Sequence, residues 1–222
     1  MGLAIGILAL ILLTAPAEAQ DAVTRDQQQM HRLHSDPAAY IGALEDPKRD
    51  SYQKPHEVLT ALKIRPGEVI ADIGAGSGYF TFRLSHFVGA KGKVYAVDVS
   101  PEMILHINRR IRDLKATNVI TVLADPDDPL LPENSINRFF FSESWHHIEN
   151  QSKYLALMKK LLKPGGEIVM IDFQKKELPI GPPMQMKISR EDLIKQMQTN
   201  GFRLTREYTF LPYHYFLVFA RK

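Results

Sequence analysis

The stretch VIADIGAGSGYF, residues 69–80, restricts the possible folds of this chain more than any other part of it. A short, largely apolar run with one acid, Asp72, leads into three glycines within five positions, Gly74, Gly76 and Gly78. Such a run is typical of a buried strand, and the glycines allow a sharp turn and a close approach of a ligand to the backbone. The stretch predicts a buried strand followed by a ligand-binding loop. A tight strand-to-helix turn without a ligand is the alternative.

The rest of the chain alternates between strand and helix patterns. The predicted strands cover residues 69–73, 94–99, 119–123, 136–141, 167–173, 202–210 and 213–219. The predicted helices cover residues 55–62, 79–88, 100–114, 152–162 and 189–200. Because this alternation implies right-handed crossovers, we predict an α/β fold with a doubly wound, mainly parallel, seven-stranded sheet and helices on both faces.

The last two predicted strands form an exception to the parallel rule. Only Leu211 and Pro212 separate them. A connection this short permits only an antiparallel hairpin, since parallel strands need a long crossover. The sheet is therefore predicted to finish with one reversed strand.

Composition narrows the class of protein. A chain of 222 residues with 45% apolar and 24% charged residues is expected to fold as one globular domain. The net charge is only +3 and the basic residues are scattered, so no nucleic-acid partner is expected. The absence of cysteine excludes disulfides, thiolate zinc sites and cysteine nucleophiles.

The amino terminus resembles a targeting segment. Residues 3–13 are uninterrupted apolar residues, and Ala17-Glu18-Ala19 before Gln20 is a small-x-small cleavage pattern. The run is shorter than the ~20 residues of a membrane span. We expect an exported protein, periplasmic or secreted, cleaved after Ala19. The alternative is an uncleaved anchor that associates the protein with a membrane. The predicted organisation is a signal peptide or anchor at 1–19, a polar extension at 20–54 and the main domain at 55–222.

The chemistry of the glycine loop differs from that of dinucleotide and nucleotide loops. A G-x-G-x-x-G motif that starts at Gly74 requires glycine at position 79, where the chain has Tyr79, and no Gly-Lys-Ser/Thr follows. Asp72 would repel a pyrophosphate and attract an ammonium group. Asp98 and Asp125 end the next two predicted strands, where carboxylates can accept hydrogen bonds from ribose hydroxyls and a base amine. These acids together indicate a nucleoside with a cationic tail.

Four stretches carry a family resemblance. VIADIGAGSGYF, VYAVDVSPEM, VLADPDD and LLKPGGEIVMIDF resemble the class I S-adenosylmethionine-dependent methyltransferases, in the same order and at ordinary spacings. The resemblance covers residues 55–173 and implies a Rossmann-like methyltransferase fold with S-adenosylmethionine as the cofactor. The binding residues it implies, from the methionine part through ribose and adenine to the methyl end, are Asp72, Gly74, Ala75, Gly76, Gly78, Tyr79, Asp98, Val99, Met103, Asp125, Ser142 and Glu143.

The resemblance implies no fixed catalytic residue, so candidates come from the sequence alone. His146 and His147 follow the fourth predicted strand and are candidates for a base or a substrate contact. A structural role at the start of a helix is the alternative. The loop 173–189 is a candidate lid or a plain connection, and Tyr213, His214 and Tyr215 are candidate core or sheet-surface residues. No metal site is expected, because His31 and His34 have no acids at metal-ligand spacing.

The sequence is compatible with three functions. The first is a methyltransferase that uses S-adenosylmethionine on a small-molecule or lipid-like acceptor. A nicotinamide oxidoreductase is disfavoured by Asp72 and Tyr79. A non-catalytic binding or accessory protein on the same fold fits an exported protein best, because S-adenosylmethionine is made in the cytosol. The oligomeric state is not indicated by the sequence.

Overall fold

The computed structural model describes residues 36–222. The predictions for the segment 1–19, for the first part of the extension 20–54 and for His31 and His34 lie outside these residues. The boundary between residues 54 and 55 stays a prediction. Within the described part, no helix is long and apolar enough to cross a membrane.

Seven strands form one sheet. They are β1 Val69–Ile73, β2 Lys93–Asp98, β3 Val119–Leu123, β4 Ile136–Ser142, β5 Leu162–Phe173, β6 Phe202–Tyr208 and β7 His214–Arg221. The spatial order is β3-β2-β1-β4-β5-β7-β6, and β7 pairs antiparallel with both of its neighbours, β5 and β6. The other pairings are parallel. This confirms the predicted doubly wound sheet with a reversed final strand.

Helices cover both faces of the sheet. They are α1 Pro37–Leu44, α2 Asp50–Gln53, α3 Pro55–Ala61, α4 Thr81–Val88, α5 Pro101–Leu114, α6 Gln151–Leu161 and α7 Arg190–Thr199. The cap predicted for α5 is present, because the Ser100 hydroxyl accepts a hydrogen bond from the amide of Met103. Three 3₁₀ turns, Pro47–Arg49, Trp145–His147 and Met184–Met186, complete the described secondary structure.

The sheet separates two apolar cores, because neighbouring residues of a strand point to opposite faces. Phe139 and Phe141 of β4 lie in the core that includes α6 and α7. Phe140, between them, lies in the core that includes α3, α4 and α5. All three rings are at most 1% exposed. A strand that is buried on both faces has a continuous run of apolar residues, and this pattern made β4 predictable from the sequence.

Several predicted boundaries differ from the observed ones by one or two residues, and two differences change a connection between elements. The chain turns from helix to strand at Leu162, which was predicted to be helical and instead pairs with Ile136 of β4. The KPGG segment after it is an irregularity within β5 rather than a connection before the strand. At the hairpin, β6 ends at Tyr208 and β7 begins at His214, so the turn is longer than predicted.

The N-terminal segment, defined here as residues 37–53, packs over the carboxyl-terminal edge of the sheet through polar contacts. Glu45 bonds to Arg110 at 2.8 Å and to His106 at 2.9 Å on α5. The Tyr79 hydroxyl donates to the carboxylate of Asp50. No residue of α1 is buried, so this helix adds no side chain to the two apolar cores.

Candidate functional site

A cavity of 420 Å³ lies at the carboxyl ends of β1, β2, β3 and β4. This is the edge at which open α/β sheets bind ligands, and the volume suits a small-molecule cofactor. All of the predicted cofactor-binding residues except Gly78 line it. The loops predicted to bind the cofactor therefore meet at one cavity at this edge of the sheet.

The glycine loop turns through left-handed backbone conformations. Gly74 has φ +70° and Gly78 has φ +83°, a region in which other residues are strained. A Cβ atom at Gly78 would lie 2.7 Å from the ring of Phe82, and one at Gly74 would lie 2.5 Å from Cβ of Ser144. Gly78 therefore permits close packing beneath the loop, and its predicted place in the cavity wall is not observed.

Asp72 is the most deeply buried acid of the cavity, with 3% exposure. Burial raises the pKa of Asp72 to about 7. The hydrogen bond that the Thr81 hydroxyl donates at 2.6 Å lowers this pKa, and the negative charge of Asp98 raises it further. A carboxyl group in this state gains strongly from a cationic ligand, because the ligand's charge favours the ionised form. The geometry fits the ammonium group of a methionine moiety.

Asp98 ends β2 and joins two parts of the cavity wall. Its Oδ2 accepts from the amide of Gly76 at 2.8 Å, and its Oδ1 accepts from the amide of Ser100 at 2.9 Å. Burial raises the pKa of Asp98, and these backbone hydrogen bonds oppose the rise. Because each carboxylate oxygen has a second lone pair, both remain able to accept from a vicinal diol.

The three residues that the resemblance implies for the adenine end lie in the wall of this cavity. Val99, Met103 and Asp125 line the cavity, and Asp125 is exposed at its rim. Asp125 is held by a two-residue bridge in which its amide donates to the carbonyl of Asp128 at 3.1 Å. Val99 is 56% exposed, so its apolar side chain is open to a ligand in the cavity.

Two hydroxyls in the cavity wall support the presence of a polar ligand. Ser77 Oγ and Ser142 Oγ are buried and have no hydrogen-bond partner among residues 36–222. Buried hydroxyls are nearly always partnered in folded proteins. With the acids already described, they make this wall fit S-adenosylmethionine, which brings hydroxyl, amine and carboxylate groups.

Glu143 follows β4, and its carboxylate bonds to one side chain near the start and to one near the end of the described residues. Its Oε1 bonds to Nε2 of His214 at 2.7 Å, and its Oε2 bonds to Arg49 at 3.2 Å. Burial would raise the pKa of Glu143, but His214, Arg49 and His146 together lower it. The residue has φ +58°, a strained conformation of the kind found at functional sites. Glu143 is thus an ionised carboxylate in the cavity wall.

The two candidate histidines have different surroundings. His147 lines the cavity and is exposed. His146 does not line it: its Nδ1 bonds to Asp172 at 2.9 Å, and the two side chains are 4% and 3% exposed. The rings of His146 and His147 lie 4.2 Å apart between centroids. Only His147 is therefore placed to meet a ligand directly.

Sequence reasoning missed the contribution of the N-terminal segment. Pro37, Tyr40, Leu44 and Arg49 line the same cavity. The signal for the helix was present, since Asp36 caps α1 by accepting from the amide of Ala38 at 3.1 Å and Pro37 follows it. A cap predicts where a helix begins but not what it covers.

The residues described form no group of three or more histidines or acids that could hold a metal ion. A family model described as a methyltransferase domain matches residues 64–209. The chain belongs to this family. It is a class I methyltransferase, and S-adenosylmethionine is its methyl donor. The nicotinamide alternative is wrong.

Solved structures of methyltransferases support the assignment. A SAM-dependent methyltransferase from Aquifex aeolicus has a TM-score of 0.79 and 29% identity, over 83% of this chain and 97% of that one. A putative type 11 methyltransferase from Sulfolobus solfataricus has a TM-score of 0.63 and 27% identity, over 76% and 92% of the two chains.

A curated relative has a named reaction. The ubiquinone/menaquinone biosynthesis C-methyltransferase of Vibrio cholerae is 32% identical over 121 residues, which are 54% of this chain and 45% of the relative. The methyltransferase thus matches less than half the length of that protein.

Proposed function

We propose that this methyltransferase acts on a small-molecule or lipid-like acceptor that meets the cofactor beside Glu143 and His147. These residues belong to the part of the cavity wall that follows β4, and the resemblance implies that the transferable methyl group lies there. Methyl transfer is an in-line displacement from sulfonium, so the protein's main task is to align the acceptor and exclude water. The observation that carries the proposal is that an ionised, partly buried carboxylate and an exposed imidazole line the same part of the cavity wall.

The surface favours such an acceptor over a nucleic acid. The densest basic cluster, on α5, includes Arg109, Arg110 and Arg112. Arg110 is already bound to Glu45 at 2.8 Å, which removes part of the positive potential. The relative from Vibrio cholerae is named for quinone biosynthesis, which supports a lipid-like acceptor and transfer to carbon.

The test of the cofactor site is calorimetric titration with S-adenosylmethionine, followed by the release of S-adenosylhomocysteine with candidate quinone precursors. We expect micromolar binding, worth ~8 kcal/mol, that is lost in Asp98→Ala. Asp113→Ala, an exposed acid on α5, is the matched control and should bind as the wild type does. A folded protein that does not bind the cofactor would refute the proposal.

We also propose that residues 1–19 direct export with cleavage after Ala19, on the sequence pattern alone. Mass spectrometry of the protein from its native membrane and soluble fractions tests this. A mature chain that begins at Gln20 supports export. An intact amino terminus in the membrane fraction supports the anchor instead.

A further inference from the structure

Arg49 differs in charge from the rest of the cofactor cavity wall. Among the described residues that line the cavity, it is the one lysine or arginine. Five acids line the cavity within the same part of the chain: Asp72, Asp98, Glu102, Asp125 and Glu143. The family match begins at residue 64, and the binding residues implied by the resemblance do not include Arg49. Neither therefore assigns a role to this guanidinium.

The ligand that this wall fits brings a negative charge as well as positive ones. In a methionine moiety the ammonium group and the carboxylate are bonded to the same carbon, so an ammonium group at Asp72 places a carboxylate nearby. A carboxylate without a partner among these acids is repelled. A guanidinium in the same part of the wall removes that penalty, and its planar N–H groups match the two oxygens of a carboxylate.

The backbone of the glycine loop offers little to this carboxylate. The amides of Gly74 and Ala75 donate to the carbonyl of Val97 at 2.9 and 3.0 Å. The next amide, that of Gly76, donates to Asp98 at 2.8 Å. Loops that bind an anion present free amides to it, and these three are already used within the protein. The anionic group of the cofactor therefore needs a partner elsewhere in the wall.

Arg49 lies between the glycine loop and the segment after β4. Its guanidinium lies 4.4 Å from the centroid of the Tyr79 ring, and its Nη2 lies 3.2 Å from Oε2 of Glu143. The segment after β4 also contacts the end of β1, because the hydroxyl of Ser144 donates to the carbonyl of Ile73 at 2.5 Å. Arg49 thus lies beside the two loops to which the resemblance assigns the methionine moiety and the methyl group.

The guanidinium is held in place by contacts within the protein. Arg49 is 8% exposed, and its Nη1 donates to the carbonyl of Leu44 at 2.5 Å. A guanidinium has five N–H groups. Leu44 and Glu143 accept from two of them and the hydroxyl of Tyr52 lies beside the group, so N–H groups remain for a ligand. A group that is already oriented loses little freedom when it binds.

We propose that Arg49 binds the carboxylate of the cofactor's methionine moiety. The proposal rests on the function proposed above, in which S-adenosylmethionine is the methyl donor, and deepens it. Arg49 is then a positioning residue, because its bond fixes the amino-acid end of the cofactor and so the direction of the methyl group. The cavity is expected to discriminate against adenosyl sulfonium compounds that lack a carboxylate.

His147 is the competing side chain, because an imidazolium can also pair with a carboxylate. It lines the cavity but is exposed, whereas Arg49 is buried. Water and salt screen a charge at an exposed position more strongly than one at a buried position. The burial of Arg49 therefore favours it over His147 as the partner of the carboxylate.

The experiment compares two ligands by calorimetry with the full-length protein. They are S-adenosylmethionine and its decarboxylated analogue, which keeps the sulfonium and ammonium groups but lacks the carboxylate. We expect the wild type to bind S-adenosylmethionine about 10- to 100-fold more tightly, the range for a hydrogen bond between charged groups. In Arg49→Met this ratio should fall below about 3-fold. General damage to the site weakens both ligands and cancels in the ratio.

Arg83→Met is the matched control. Arg83 lies over the same Tyr79 ring, at 4.2 Å, but does not line the cavity, so this variant should keep the wild-type ratio. Arg49→Gln is a second neutral variant, whose amide can still donate to Leu44, and it decides the matter if Arg49→Met does not fold. The double variant Arg49→Met, Glu143→Gln keeps the net charge of the wall and should still lack the preference.

Four results would overturn the proposal. They are equal binding of both ligands by the wild type, a wild-type ratio in the folded Arg49 variants, a preference restored in the double variant, and an equal loss of preference in Arg83→Met. Loss of the preference in His147→Asn alone assigns the carboxylate to His147 and also overturns it. Failure of the wild type to bind S-adenosylmethionine overturns the proposed function instead.

Discussion

Nδ1 of His146 lies 2.9 Å from Oδ2 of Asp172, and both side chains are almost completely buried. The pair lies between the end of β5 and the 3₁₀ turn after β4, close to Glu143. Burial alone would lower the pKa of His146, but the hydrogen bond and charge of Asp172, with the charge of Glu143, raise it above the usual value. The pair therefore ties the 3₁₀ turn to the sheet, and the raised pKa favours the charged form of His146.

This raised pKa predicts a pH-dependent contribution to stability. The pKa of His146 is higher in the folded protein than in the unfolded chain. The stabilisation that the His146–Asp172 pair gives to the folded state is therefore complete below about pH 6.5, and it is lost as the pH rises through the pKa of the folded protein. Denaturant unfolding of the wild type and of His146→Asn should therefore differ most near pH 6 and least near pH 9. His86→Asn, at an exposed histidine with no ion pair within residues 36–222, is the control for the loss of an imidazole. A difference that does not vary with pH would contradict the ion pair.

The buried Asp72 predicts that cofactor binding strengthens with pH. Its pKa is raised to about 7, so the carboxyl is about half protonated at neutral pH. An ammonium group binds the ionised form, so affinity should rise roughly 10-fold between pH 6 and pH 8. Calorimetry in buffers of different ionisation enthalpy would detect the proton released on binding. Asp72→Asn should bind weakly at every pH.

Thr81 provides a graded test of the same site. Its hydroxyl donates to Oδ2 of Asp72 at 2.6 Å and favours the ionised carboxylate. Thr81→Val removes the donor with little change in volume, so the midpoint of the pH dependence should move to higher pH. A midpoint that stays in place would mean that Asp72 does not control binding.

Arg138 predicts a stability effect far from the cavity. Its guanidinium bonds to Glu68 at 2.6 Å and to Glu167 at 2.8 Å, and Arg138 is 8% exposed. Removal of Arg138 leaves the buried Glu68 without its main partner, and broken buried pairs cost about 3–5 kcal/mol. Arg138→Met should lose about that much in the free energy of unfolding. Arg109→Met, an exposed arginine, should lose little.

The same pair gives a pH signature for this network. Burial would raise the pKa of Glu68, but the hydrogen bonds and charge of Arg138 lower it below the usual value. The stabilisation by the Arg138–Glu68 pair is therefore present above the pKa that Glu68 has in the unfolded chain. It is lost as the pH falls through the pKa of Glu68 in the folded protein. The difference in unfolding free energy between the wild type and Arg138→Met should shrink in acid. A constant difference would indicate lost packing rather than a lost ion pair.

The sheet and the cofactor edge could be predicted because their signals are local. Buried parallel strands such as β4 read as apolar runs, and Gly74 requires a backbone that only glycine adopts easily. Asp98 was found because it ends a strand that could itself be found. The conformation at each of these positions is indicated by residues only a few positions away in the sequence.

The rest depends on contacts between distant parts of the chain. Glu143 meets Arg49, 94 residues earlier, and His214, 71 residues later. No spacing in the sequence pairs these side chains, and an alternating β7 pattern does not tell which face His214 takes. The roles of His146 and His147 were left open for the same reason, since Asp172 is the partner that distinguishes them.

The N-terminal segment predicts control over cofactor release. It covers the cavity with Pro37 and Tyr40 and is held in part by the ion pair of Glu45 with Arg110 and by the hydrogen bond of Glu45 with His106, both partly exposed. Exposed pairs of this kind contribute about 0.2–1 kcal/mol, so Glu45→Gln should release the cofactor about 2- to 5-fold faster. Stopped-flow displacement of bound S-adenosylhomocysteine measures this rate. Glu133→Gln, an exposed acid with no ion pair among the described residues, is the control. Raising the salt concentration should speed release from the wild type more than from Glu45→Gln, because the variant lacks one of the exposed pairs that salt screens. Equal rates for the wild type and Glu45→Gln at low salt would mean that the segment does not limit release.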